Sequence, residues 1–180
     1  MVSNEHINVI KRNGRGPETL DIDKIHSMVG FATEGITGVS ASHVEMNSGL
    51  QFFDGISTED IQQILIKSAN DLISLESPNY QYVAARLLLF SLRKSLHHRL
   101  WEHPKFITHI KKLVDLGLYD KGILDNYTEA EIDRMGMWID HERDYSFTYA
   151  GLRQVMDKYL VQDRSTGEIF ETPQFMYMMI

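Results

Sequence analysis

The chain has 180 residues, 43% hydrophobic and 24% charged, an ordinary globular composition with enough length to bury a core without covalent staples. Its 18 Lys and Arg stand against 25 Asp and Glu, a formal net charge of −7, which argues against a protein that coats nucleic acid through a cationic face. It contains no cysteine, which excludes disulfides, thiolate metal sites and thiol catalysis within these residues and fits a reducing compartment. The first residues lack the basic start and apolar run of a secretory signal, and no apolar run approaches a membrane span. These features lead us to expect a soluble, cytoplasmic protein that binds neither membrane nor nucleic acid.

The first pattern is a strand pair. His6–Arg12 alternates as a strand, Asn13-Gly14 supplies a turn that Arg15, Gly16 and Pro17 lengthen, and Glu18–Ile22 returns. Most of the remaining chain reads as helical. Asp23 is the expected cap of a helix with the stripe Ile25, Met28, Val29 and Ala32. A second helix should run from Ser40 or Ser42 towards Phe52. Asp54-Gly55 breaks the chain, and Ser57 with Asp60 forms a weak capping box for a third. Ser77-Pro78 opens a long apolar helix to about Leu100.

Beyond Pro104, Phe106–Leu116 reads as a helix stopped by Gly117. Thr128-Glu129-Ala130-Glu131 is a full capping box ahead of Ile132, Met135 and Trp138. Asp140–Asp144 reads as a charged loop, Phe147–Tyr159 as a helix, and Leu160–Phe170 as a hairpin. Thr172-Pro173 opens a last helix that is still apolar at Ile180, so the sequence reads as the front part of something longer.

Several residues could carry chemistry. Lys11, Arg12, Lys24 and Lys94 are candidates to converge on phosphates, although spacing alone favours ordinary solvated surface charge. Thr58 and Gln62 are one helical turn apart and can face one ligand, or be a helix start and a surface amide. Glu18 and Asp21 flank Leu20 on the second strand and could read an adenine edge, or be a polar strand edge. Neither phosphate-binding glycine motif is present. His97, His98, His103 and His109 lack the i, i+4 spacing of a helical metal pair. His141-Glu142-Arg143-Asp144 reads as a solvated loop rather than a catalytic one, and the Met-rich ending as core filler.

Taken in order, Lys11-Arg12-Asn13-Gly14, Glu18–Ile25, Asp54–Thr58 and Tyr80–Leu87 resemble an ATP-cone domain. Ile139–Asp144 and Lys158–Gln162 resemble the segment that leads into the catalytic barrel of the large (alpha) subunit of aerobic, class I ribonucleoside-diphosphate reductases. The resemblance covers essentially the whole chain. It implies a mainly α fold: a four-helix cone capped by a β-hairpin over residues 1–95, then a helical N-terminal reductase region over 96–180, truncated before the catalytic barrel. It implies ATP or dATP as allosteric effector, with Mg2+ carried by the nucleotide and no metal bound directly by the chain. The implied partners are the rest of the large subunit and the small radical-generating subunit.

By the resemblance, Lys11, Lys24 and Lys94 would bind phosphates, with Arg12 beside them. Glu18, Thr19, Leu20, Asp21, Ile22 and Asp23 would surround the adenine. Thr58 would hold phosphate or sugar, Gln62 would sit near the ribose, and Phe52 and Phe90 would wall the pocket. Three departures stand out: an extra residue around Gly16-Pro17, Gln62 where a His or Asp is common, and Asp21 where an Asn is common. With no cysteine, the chain alone is expected to be catalytically inactive. The competing readings are a stand-alone or degenerate cone acting as a sensing or structural module, and a cone-bearing transcriptional repressor, whose Cys-ligated zinc ribbon this sequence cannot build.

Overall fold

The computed structural model describes residues 7–11, 16–49, 51–97 and 102–180. Arg12 and the Asn13–Arg15 part of the expected turn lie outside the described residues. The chain divides into two compact units, Met1–Leu88 with Thr148–Ala150, and Leu89–Phe147 with Gly151–Ile180.

The first unit begins with β1 (Asn8–Ile10) and β2 (Glu18–Thr19), antiparallel with Val9 opposite Glu18. Helices α1 (Ile22–Thr33) and α2 (Ala41–Gly49) come next, then β3 (Ile56–Ser57), α3 (Thr58–Asp71) and α4 (Tyr80–His97), which continues into the second unit. The expected hairpin is a three-stranded sheet in the order β2-β1-β3. β3 pairs parallel to β1, with Val9 opposite Ile56 and Ile10 opposite Ser57. A two-residue strand carries no periodicity by which a sequence could display it. Asp54 fixes the pairing: its Oδ1 accepts from the Asn8 backbone N–H at 2.8 Å and from Asn8 Nδ2 at 3.0 Å, while Gly55 N–H donates to the Asn8 carbonyl. Gly55 has φ +82, the left-handed backbone that this turn demands and that favours glycine.

The cap of α1 is Asp21 rather than Asp23; its carboxylate accepts from the Lys24 backbone N–H. Two acidic residues two apart give the same N-terminal signal, and here the earlier one takes the extended backbone of a cap. The stripe is as expected, with Ile25, Val29 and Ala32 buried. At the far end, Arg86 donates to the Glu34 carbonyl at 2.6 Å, a cation on the carbonyl end of α1. Tyr80 Oη accepts from Ser40 N–H at 3.0 Å, and Asn79 Nδ2 donates to Thr37 O at 2.9 Å. The start of α4 therefore staples the α1–α2 connection, over a core that includes Val9, Ile56, Leu65, Val83 and Leu87.

The second unit holds the end of α4, then α5 (Phe106–Asp115), α6 (Gly122–Asn126), α7 (Glu129–Gly136), a 3-10 helix (His141–Ser146), most of α8 (Tyr149–Lys158) and α9 (Pro173–Met179). The Thr128/Glu131 capping box is formed on both sides. Its bonds hold the Glu131 carboxyl below its ordinary value. Gly136 lets α7 approach α5 closely, since a Cβ there would lie 3.0 Å from Phe106 Cβ. Phe106, Ile107, Ile110, Ile132 and Phe175 form the core cluster.

Two expectations change here. Leu160–Phe170 is a loop closed by one antiparallel bridge, Gln162 to Ile169, rather than a hairpin of two strands. The charged stretch Asp140–Asp144 is not a solvated loop: Asp144 is buried at the centre of the 3-10 helix. Its Oδ1 accepts from Gln174 Nε2 at 2.7 Å and its Oδ2 lies 3.5 Å from Arg93, which also donates to Tyr145 Oη and the His141 carbonyl. Burial pushes the Asp144 carboxyl up to about 6.

Candidate nucleotide site

The parallel pairing of β1 and β3 has a direct chemical result. Ile10 stands opposite Ser57, so the next residues on each chain, Lys11 and Thr58, emerge side by side at one end of the sheet. Thr58 is the first residue of α3 and Ser57 its cap, with Ser57 Oγ accepting from Asp60 N–H at 2.9 Å. No loop separates strand from helix, so a cation and the positive end of a 14-residue helix share one edge.

Lys11 is already paired: its Nζ lies 2.5 Å from Glu18 Oε2 across the β1–β2 pair. Lys24 lies 3.0 Å from Asp21. The hydrogen bonds from Lys24 hold the Asp21 carboxyl below its usual range, and Asp21 raises Lys24 in return. Both pairs are exposed, so water screens them and each is worth little to stability. What they do is hold carboxylates and ammonium groups along β2 and the first turn of α1. Thr19 and Asp23 are exposed there, Leu20 is half-buried, and Ile22 is an apolar side chain left 70% exposed.

Gln62, one turn into α3, is buried at 3% exposure. Its Nε2 donates to the Leu87 carbonyl of α4 at 2.9 Å. That bond fixes the orientation of the amide, because the reverse would put two oxygens together, and leaves Oε1 as an acceptor. Phe52 is half-buried just before β3. Phe90 and Lys94 fall in the second unit. Phe90 is 2% exposed with its ring edge-on to Tyr145, centroids 6.2 Å apart, and Lys94 is exposed in the last turn of α4. The structure thus gathers Lys11, Glu18 to Lys24 and Thr58 around one end of the small sheet. Asn8 and Asp54, which lock that sheet, were missed as site-forming residues; the Asp-Gly turn was their only trace.

The donor set suits a nucleotide: ammonium groups and a helix N-terminus for phosphates, with strand-edge polar groups and an exposed aliphatic side chain for a flat base. Comparison with known proteins agrees, since the pattern of the ATP cone domain matches residues 7–95. Those residues form an ATP cone. Similarity extends past the cone. The chain is 47% identical over 177 residues to the Escherichia coli ribonucleoside-diphosphate reductase 1 subunit alpha, 98% of this chain and 23% of that one. The Haemophilus influenzae alpha subunit is 48% identical over the same shares. That of Enterobacteria phage T4 is 45% identical over 97% of this chain and 23% of its own. The chain thus matches the N-terminal part of these subunits and spans under a quarter of their length. Among the described residues there is no group of three His, Asp or Glu able to hold a metal ion and no helix long and apolar enough to cross a membrane.

Proposed function

We propose that this chain is the regulatory N-terminal part of a cytoplasmic ribonucleoside-diphosphate reductase large subunit, with an activity-controlling cone over residues 1–95 and a helical reductase region over 96–180. The observation that carries the reading is that similarity to the alpha subunits does not stop with the cone but runs over 98% of the chain. ATP and dATP are the effectors, and Mg2+ arrives bridging their phosphates rather than on protein ligands. Lys11, Lys24 and Lys94, with Arg12, take the phosphates. Glu18, Asp21 and Asp23, with the backbone of Thr19, Leu20 and Ile22, take the adenine edge. Thr58 holds phosphate or sugar, Phe52 and Phe90 form walls, and Gln62 Oε1 accepts from the ribose. The partners are the remainder of the large subunit and the small radical-generating subunit.

The logic of control is differential binding: a nucleotide changes activity only by favouring one assembly state over another. Catalysis belongs elsewhere, because a chain without cysteine cannot run thiol-based ribonucleotide reduction; product formed by this chain with the small subunit and a thiol reductant would overturn that statement.

The test is thermal unfolding with ATP, dATP, GTP and no nucleotide. A ligand at 100 times its dissociation constant stabilises by about 2.7 kcal/mol, a shift of roughly 5–10 °C for a chain of this size. Adenine nucleotides are expected to shift the transition and GTP not. A cooperative transition that no adenine nucleotide moves would remove the reading. Gln62→His is expected to change the ATP-to-dATP affinity ratio more than either affinity.

A further inference from the structure

Away from the cone, the second unit carries a cavity of about 420 Å3 lined by His103, Lys105, Phe106, Arg134, Met137 and Phe175, among others. That volume lies in the range of small-molecule sites. Its walls are largely apolar: Phe106 and Phe175 pack with ring centroids 5.5 Å apart, and Met137 and Ile139 complete the lining. His103 and His141 add a flat, stacked pair of imidazoles, centroids 3.6 Å apart and planes 17° apart. In both rings Nδ1 is buried without a hydrogen-bond partner. Burial pulls these histidines down, to about 3 for His103 and about 4 for His141, so both rings are uncharged at neutral pH.

The polar part of the lining has a sign. Lys105 and Arg134 contribute two cations against the single carboxylate of Asp133. Lys105 is also the N-cap residue of α5, a ten-residue helix whose first turn receives no side-chain cap. Its orphan N–H groups therefore open beside Phe106 at the cavity wall. A cation-lined mouth on a largely apolar lining selects a ligand with a flat apolar body and one negative group.

We propose that this cavity is a binding site for a small aromatic anion, an aryl phosphate or aryl carboxylate, whose ring covers Met137, Ile139 and the outer edge of the imidazole pair, above the buried Phe106 and Phe175, and whose anionic group meets Arg134 and Lys105. The site is separate from the cone residues and does not rest on the proposed effector role.

The probe is phenyl phosphate, titrated into the full chain by calorimetry with amide chemical-shift mapping. Benzyl alcohol supplies the ring without the charge, and inorganic phosphate the charge without the ring. Phenyl phosphate is expected to bind at least tenfold more tightly than either, with the largest shifts at Gly136, Met137 and residues 105–107. Arg134→Gln, an exposed change that leaves the fold intact, is expected to weaken binding severalfold and Lys105→Gln with it to abolish saturation. Saturating ATP should leave the affinity unchanged. Shifts confined to the cone, displacement by ATP, equal binding of inorganic phosphate, or wild-type affinity in the double variant would each overturn the proposal. The two arms, phenyl phosphate against benzoate, then separate the two kinds of anion.

Discussion

Both units carry exposed ion pairs, but among the described residues only the second also buries one. In the cone, the ion pairs Lys11–Glu18 and Lys24–Asp21 lie at the surface, where water screens them and where a ligand can exchange for one partner. In the second unit, Arg93 and Asp144 are 2% and 1% exposed, and Tyr119 donates to a buried Glu171, which also accepts from Val161 N–H at 2.7 Å. The first arrangement suits regulation by a soluble anion, because changing partners costs little. The second suits a scaffold, because a buried charge left alone is costly and the geometry is therefore held.

That contrast can be broken most sharply at Asp144. Asp144→Ala leaves the buried Arg93 with neutral partners, Tyr145 Oη and the His141 carbonyl, and no counter-charge, and should destabilise the second unit by about 3–5 kcal/mol, read as a fall in the denaturant midpoint. A change below about 1 kcal/mol would mean that water reaches the pair. Acid sharpens the same point. His103, His109 and His141 are held by burial at about 3, 4 and 4, below the ordinary 6.5. The unfolded chain then binds more protons between those values, so stability is complete above about pH 6.5 and is lost as pH falls towards 4. Asp144 works against this trend, since its raised value favours the folded, protonated form between about 4 and 6. Glu171, also raised by burial, acts in the same sense as Asp144; three histidines outweigh these two carboxylates, and a second unit whose stability rises on acidification from pH 6.5 to 4.5 would contradict the assignment.

In the cone, Lys11→Ala should weaken ATP and dATP alike by about 1.5–3 kcal/mol, the range for a charge-assisted bond, with little change in the melting temperature of the free chain. Calorimetry showing equal affinity would take Lys11 out of the site. The smallest expected effect is at Thr128: its replacement by Ala removes the hydroxyl half of the capping box, leaves the backbone N–H on Glu131, and should cost about 1 kcal/mol, visible as a small shift in thermal unfolding.

Much of this was legible in the order of residues alone. The caps at Ser57, Thr128 and Thr172 and the stripe of α1 come from side-chain chemistry within four residues, which a sequence displays openly. The ordered motifs placed the cone as well. What stayed hidden depends on partners distant in the chain. β3 is two residues long and exists because β1 and Asp54 hold it. Asp144 looked like one more charge in a polar run, and only Arg93, 51 positions earlier, and Gln174, 30 positions later, make it an interior residue. Gln62, which spacing left open between a ligand contact and a surface amide, is buried because its amide reaches the Leu87 carbonyl 25 positions later.

The Lys11–Glu18 pair has one more consequence. Under the proposed role of Lys11, Glu18 is a competitor tethered a few ångströms away, and its effective concentration is set by the fold rather than by the solution. A nucleotide phosphate must outcompete it, so the pair raises the nucleotide level at which Lys11 changes partner. Because water screens the pair, that rise is small, so under this role the strand pairing of β1 with β2 would tune the nucleotide level of the response rather than block it.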